Sequence, residues 1–171
     1  KGAAVLNEGF TGQVGGDGVN LLSTAHPLVN GGTNSNEPST PADLNETSLE
    51  AAVIQIGKWT DERGLKIAAR PQKLIIPSDL QFEAERILKS TMRAGTADND
   101  VNALASTSAI PGGYMVHHFL TDPDAWFLTT DVANGLKHFV RVAMKTSMEG
   151  DFETGNVKYK GRERHSFGYS D

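Results

Sequence analysis

The residues that could support catalysis lie near the N-terminus, where Ser23 precedes His26 by three positions. A serine and a histidine are two members of a hydrolytic triad, so a small serine hydrolase is one hypothesis. The nucleophile elbow of many such enzymes, G-x-S-x-G, does not surround Ser23, which stands in a glycine-rich loop instead of a strand-to-helix turn. Hydrolysis at Ser23 and His26 therefore remains only a distant alternative.

Metal-binding patterns are equally weak. The chain has five histidines and no cysteine, and no histidine stands in an H-E-x-x-H or similar spacing. His117 and His118 are adjacent in a predicted strand, so their side chains would face opposite sides. The run Asp-Asn-Asp-Val-Asn at 98–102 imitates the start of a calcium loop, but alanine stands at its sixth and twelfth positions, Ala103 and Ala109. The sequence thus predicts no catalytic constellation, no metal site and no cofactor.

The most regular chemistry in the chain is an alternation of charge near its C-terminus. Side chains alternate across a β-strand, so one strand over 152–169 would carry cations on one face and mostly aromatic and apolar residues on the other. The pattern indicates a strand that packs on its own domain and offers its basic face to a partner. An ordinary sheet with one solvated face is the alternative. The cations occupy every second position: Lys158, Lys160, Arg162 and Arg164.

Two helices are predicted in the middle of the chain. The first begins at Thr47 with a T-x-x-E capping box, and Gly64 is its predicted stop. The second begins at Ser78 with a second capping box, S-x-x-Q. Its inner apolar stripe reaches Met92 and it ends at Gly95.

The remaining segments are predicted to be strands and loops. Residues 114–120 and 125–130 would form a hairpin around the proline-containing turn at 121–124. Residues 1–45 read as irregular, to be ordered by neighbouring molecules or to form an extended arm, and 96–113 as a polar loop. A helix, a strand, a helix and then four strands predict an α+β fold. The predicted strands are 73–76, 114–120, 125–130, 136–144 and 152–169.

Length and composition exclude several functional classes. The chain of 171 residues suits one domain or one domain with an extension. A net charge of −5 is not typical of a free nucleic-acid-binding protein. No apolar run approaches the roughly 18 residues that a membrane-spanning helix needs. Because the sequence shows neither a signal peptide nor an initiator methionine, we expect it to be a piece of a longer protein.

Several motifs in this order and spacing resemble the major capsid (head) protein of tailed bacteriophages and prophages, of the Mu-like head-subunit kind. The resemblance spans nearly the whole chain. It is carried by Gly18-Val-Asn-Leu-Leu-Ser-Thr-Ala-His-Pro27, Gly31-Gly-Thr-Asn-Ser-Asn36, Leu74-Ile-Ile-Pro-Ser78, Asn99-Asp-Val-Asn102, Ala125-Trp-Phe-Leu128 and Tyr159-Lys-Gly-Arg-Glu-Arg-His-Ser-Phe-Gly-Tyr-Ser-Asp171.

The resemblance implies the Hong Kong phage capsid fold, with an axial domain near the capsomer centre and an elongated peripheral domain. On this hypothesis residues 1–47 are an extended segment, 48–135 form the axial domain and 136–171 are strands that return to the peripheral domain. The family's N-terminal arm, extended loop and spine helix have no evident counterpart in this piece and would precede residue 1.

The function implied is that of a structural, non-enzymatic subunit that self-assembles into pentamers and hexamers and encloses the viral genome in an icosahedral head. The expected partners are copies of itself, scaffold and portal proteins, and packaged DNA bound without sequence specificity, with no membrane and no small-molecule substrate. The expected location is the virion, after assembly in the bacterial host cytoplasm. An encapsulin-like compartment shell is the alternative.

Contacts between subunits are expected at the basic strand and at the polar loop before 103. The basic strand would pair with an acidic neighbour or face packaged DNA, and the acidic net charge of the chain favours the protein neighbour. The candidate contact residues are Lys158, Lys160, Arg162, Arg164, Asp98, Asn99, Asp100 and Asn102.

Overall fold

The structure, a computed structural model, describes residues 2–93, 100–133 and 135–169. Helices and short strands of the first 130 residues surround one small sheet, and a long two-stranded hairpin follows. The helices are α1 (Gly2–Asn7), α2 (Glu46–Ile56), α3 (Gln81–Lys89) and α4 (Ala103–Ser106). The strands are β1 (His26–Pro27), β2 (Thr33–Asn34), β3 (Pro71–Ile76), β4 (Tyr114–Val116), β5 (Phe127–Thr130), β6 (Leu136–Gly150) and β7 (Val157–Tyr169).

The central sheet has the order β4-β3-β5. Strand β4 runs parallel to β3 and β5 runs antiparallel to it. The predicted hairpin of 114–120 with 125–130 is therefore wrong, because β3 lies between the two segments. The apolar run of β3 is buried and pairs on both edges. Gly112 permits the approach of β4, since a Cβ at this position would lie 2.5 Å from the carbonyl oxygen of Gln72.

The core lies between this sheet and helices α2, α3 and α4. Side chains of all four elements meet in one apolar cluster, in which Leu49, Leu74, Ile76 and Ala84 are fully buried. Trp126 packs against this cluster, and its indole Nε1 donates a hydrogen bond to the carbonyl oxygen of Ala42 at 3.0 Å.

Helix α2 begins one residue earlier than predicted and uses a different cap. The side-chain oxygen of Asn45 accepts the N–H of Ser48, and the Ser48 hydroxyl oxygen accepts the N–H of Asn45. Thr47 is thus not the cap, because the preceding asparagine completes a reciprocal pair. The helix ends at Ile56, and Gly64 instead takes a positive φ of 83° in a later turn.

Helix α3 is shorter than its apolar stripe predicted. A 3-10 turn at Ser78–Leu80 precedes it, and it ends at Lys89 because the next residue, Ser90, has extended backbone. Met92 consequently leaves the inner face and pairs across a single bridge with Val101. The predicted stop at Gly95 lies outside the described residues.

The predicted loop at 96–113 contains helix α4, capped by Asn102. The side-chain oxygen of Asn102 accepts the N–H of Ala105 at 3.1 Å, and its amide donates to the carbonyl oxygen of Ile87 at 2.6 Å. The first 45 residues are largely irregular, as predicted, although they include α1, β1 and β2. They also order themselves, because the Asn36 side chain bonds the Ser23 N–H and the Leu21 carbonyl.

Candidate functional site: the ribbon

The ribbon, residues 136–169, is the antiparallel pair β6–β7 with its connecting turn. Its register runs from Leu136 opposite Tyr169 to Gly150 opposite Val157. The turn closes because the N–H of Asp151 donates to the carbonyl oxygen of Asn156 at 2.8 Å. The two strands predicted here are confirmed, with β6 extending to residue 150 and β7 beginning at 157.

The register assigns the alternating residues of β7 to two faces. Residues opposite each other in an antiparallel pair project to the same side, so the even-numbered residues of β7 define a basic face together with their partners on β6. Two bulges on β6, after Val140 and after Val142, shift the partners that β7 meets. The basic face therefore carries Lys137, Lys145, Lys158, Lys160, Arg162 and Arg164, as well as Glu149 opposite Lys158.

Most cations of the basic face lack a carboxylate partner among the described residues. Lys158 is paired, since its Nζ lies 2.8 Å from Oδ2 of Asp151, and this lysine is the main cause of the lowered pKa of Asp151. Lys145 stands directly opposite Arg162. Two like charges in opposite positions destabilise a sheet, so an anionic partner over this pair would stabilise the ribbon.

Sequence reasoning missed Lys137 and Lys145, the two cations that β6 adds to the basic face. Strict alternation along β6 from Leu136 places both residues on its odd-numbered side, which the even-numbered residues of β7 share. The two bulges together leave Lys145 on this side and shift its partner from Lys160 to Arg162. No pattern in the sequence marks the position of those bulges, so the pairing of Lys145 with Arg162, unlike its face, was not predictable from periodicity.

The opposite, apolar face of the ribbon is exposed. Near its root the rings of His138 and Phe167 stack with centroids 4.6 Å apart, and His165 lies edge-on at 5.3 Å from His138. Farther out, Met148 and Tyr159 face each other and are 66% and 81% exposed. The prediction that this face packs on its own domain is therefore wrong for the outer part of the ribbon, whereas at the root Tyr169 is half-buried. Beyond the root both faces of the ribbon are uncovered.

Two further features locate the ribbon on the molecule. At its root the hydroxyl of Tyr169 donates to the carbonyl oxygen of Gln13 at 2.6 Å, which ties the end of β7 to the N-terminal segment. At its tip the side chain of Phe152 is fully exposed. Phenylalanine is among the aromatic residues that are enriched in protein interfaces.

The predicted polar contact loop is only partly described. Asp98 and Asn99 lie outside the described residues, and Asp100 is exposed. Asn102 is only 2% exposed, and its side chain bonds residues of its own chain. The buried polar atoms of Asn102 thus find their partners within the chain, and its contact with a neighbouring subunit stays a prediction.

The alternative catalytic pair is not assembled. Nδ1 of His26 lies 2.7 Å from Oδ2 of Asp17, but no hydrogen bond joins His26 to Ser23, whose hydroxyl oxygen accepts the N–H of Ala25. His117 and His118 follow β4 instead of lying in it. Within residues 2–93, 100–133 and 135–169, no group of three or more His, Asp or Glu residues is placed to hold a metal ion. The histidines therefore give no support to hydrolysis.

A cavity of about 480 Å³ lies beside the root of the ribbon. Its walls come from the N-terminal segment, from the connection that follows α2 and from the end of β7. Ser23 does not line it. The lining residues include Asp17, His26, Leu28, Trp59, Glu62 and Tyr169.

A scan against protein-family models matches residues 2–170 to the family described as phage capsid protein. The chain belongs to the phage capsid protein family. A search of curated proteins returned no match, and a search of solved structures returned none either. The mixed helices and sheets described above are those of an α+β phage capsid fold.

Membership in the phage capsid protein family gives the chain a structural role in a shell built from copies of itself, and a place in the virion. The exposed ribbon suits this role, since a shell subunit must present surface to its neighbours. Among the residues that the structure describes, no helix has both the length and the apolar character to cross a membrane.

Proposed function

We propose that the chain is a major capsid subunit that self-assembles through its ribbon into the pentamers and hexamers of an icosahedral head enclosing the viral genome. The subunit is of the Mu-like kind with the Hong Kong phage capsid fold, and it catalyses no reaction. Residues 1–47 form the extended segment, 48–135 the axial domain and 136–171 the peripheral strands. Scaffold and portal proteins are further partners during assembly in the bacterial host cytoplasm.

The observation that carries this proposal is the surplus of positive charge on a ribbon without a covering layer. Lys145, Lys160, Arg162 and Arg164 have no carboxylate partner among the described residues. A ribbon that functioned alone would be destabilised by the opposition of Lys145 and Arg162. Contact with an acidic surface removes this cost, and repetition of such a contact from copy to copy closes rings.

The partner that the charges favour is the body of the next copy, where body denotes residues 1–135. The body has nine Lys and Arg against sixteen Asp and Glu, a net charge of −7. Residues 136–171 have seven Lys and Arg against five Asp and Glu, a net charge of +2. A basic ribbon laid on an acidic neighbouring body is therefore attractive, and packaged DNA is a weaker, non-specific partner for the same cations.

The experiment is charge reversal on the ribbon. We expect the double substitution Arg162→Glu and Arg164→Glu to abolish shells seen by electron microscopy while the chain stays folded by circular dichroism. The matched control is Arg63→Glu with Lys66→Glu, which makes the same change of charge on exposed positions of the body. Normal shells from the ribbon variant would refute the proposed contact, and DNA inside the particles separates a phage head from an encapsulin-like compartment.

A further inference from the structure

The cavity beside the root of the ribbon has the chemistry of a receptor for a basic side chain. Trp59 and Tyr169 contribute aromatic surface and Leu28 and Val29 contribute aliphatic surface. Lysine and arginine bury their methylene stems along such walls and keep the cationic head at the rim. An aromatic ring face also attracts a cation directly.

The charges at this cavity are negative. Asp17 accepts the N–H of Val19 at 3.0 Å and faces Nδ1 of His26, and these two contacts lower its pKa, so this carboxylate is ionised at neutral pH. Glu62 is exposed and makes no hydrogen bond or ion pair with any described residue. The Glu62 carboxylate is therefore available to a cation that enters the cavity, whereas a phosphate or another anion would be repelled.

We propose that this cavity binds a lysine or arginine of the basic face of a second copy of the chain. The inference rests on the proposed function and adds the receiving site on the neighbour. Charge complementarity identifies the occupant, because the ribbon region has a net charge of +2 and a row of unpaired cations, while Glu62 lies on a body with a net charge of −7. The cavity volume of about 480 Å³ is that of a pocket that accepts a compact ligand.

The test mixes two full-length chains, each of which has one half of the contact disabled. The receptor carries Arg162→Glu and Arg164→Glu, so its cavity is intact and its ribbon is not basic. The donor carries Glu62→Lys, so its ribbon is intact and its cavity is blocked. Neither chain binds itself through this contact, and only the donor ribbon in the receptor cavity remains possible.

The readout is the indole N–H resonance of Trp59 in a receptor labelled with ¹⁵N at tryptophan. The chain has two tryptophans, and Trp126, bonded to the carbonyl of Ala42, is the internal control. We expect unlabelled donor to shift the Trp59 resonance saturably and to leave that of Trp126 unchanged. A receptor with Glu62→Lys added should bind the donor at least about tenfold more weakly, since like charges then meet.

Each alternative result has a definite meaning. If Trp59 does not respond although shells of the unaltered chain require Arg162 and Arg164, the cavity is not the receptor and the proposed function stands. If those arginines are dispensable for shells, the ribbon contact itself fails. Nα-acetyl-arginine amide is the small-molecule probe, with Nα-acetyl-glutamine amide as its neutral control. A shift with this probe but not with the donor chain would make the cavity a small-molecule site and would overturn the proposal.

Discussion

The body and the ribbon are stabilised by different interactions. The central strand β3 of the body is covered on both sides, and its Leu74 and Ile76 are fully buried. The strands of the ribbon are more than twice as long, yet their side chains are almost all exposed or half-buried. Burial of apolar surface stabilises the first region, whereas backbone pairing and a few cross-strand contacts hold the second. The difference is what we expect if, as proposed above, the ribbon is completed by another copy of the chain.

The test with the largest expected effect is truncation of one apolar side chain in each region. Leu74→Ala should lower the free energy of unfolding by about 2–5 kcal/mol because it opens a cavity in the core. Tyr159→Ala, its counterpart on the ribbon, should cost at most about 1 kcal/mol in the isolated chain and reduce shell formation. Urea denaturation followed by circular dichroism measures the first effect, and equal losses for the two variants would contradict the comparison.

A second test uses polar groups. Asn102→Ala should destabilise the chain by about 1–3 kcal/mol, since it leaves the Ile87 carbonyl and the first turn of α4 without a partner. Thr107→Ala is the control, because its hydroxyl donates to the Ala103 carbonyl on an exposed surface. If both variants unfold at the same denaturant concentration, the buried Asn102 side chain contributes no more to stability than the Thr107 hydroxyl.

A smaller effect is expected at Asp17, where pH provides the probe. The N–H of Val19 and the ring of His26 lower the pKa of Asp17 in the folded chain. A lowered pKa adds stability above the ordinary carboxyl range, and this contribution is lost as the pH falls through the folded-state pKa. Asp17→Asn should therefore be less stable than the parent chain near pH 7.

Denaturation curves recorded from pH 7 to pH 2 measure this effect. The difference between Asp17→Asn and the parent chain should shrink steadily at acid pH, as Asp17 of the parent becomes protonated. A difference that does not change with pH would mean that the carboxylate charge has no part in holding the N-terminal segment.

The smallest expected effect has opposite signs in the free and assembled chain. Lys145→Glu replaces the repulsion across from Arg162 with attraction, and should stabilise the isolated ribbon by about 0.2–1 kcal/mol. Hydrogen exchange of the β6 and β7 amides measures this gain. The same change should reduce shell formation, with Lys66→Glu as the control. If the variant raises both the stability of the ribbon and the yield of shells, the basic face has no acidic partner.

Local patterns predicted the single elements well where one side-chain period dominates. The alternation from Lys158 to Arg164 gave the strand and its basic face, and the apolar run at 74–76 gave the central strand. The capping of α2 was misassigned because Asn45 and Thr47 are both good caps, and the reciprocal bond with Ser48 decides between them. The end of α3 was also misassigned, because apolar residues continue beyond its last helical turn.

The sequence by itself determined which residues alternate, which segments are apolar and how charge divides between body and ribbon, because these properties follow from residue type and spacing. Only the tertiary structure decided that β3 lies between β4 and β5, that bulges bring Lys145 opposite Arg162, and that Glu62 and Trp59 share a cavity with Tyr169. These are pairings between residues far apart in the chain. They depend on the packing of the whole molecule, which no local period encodes.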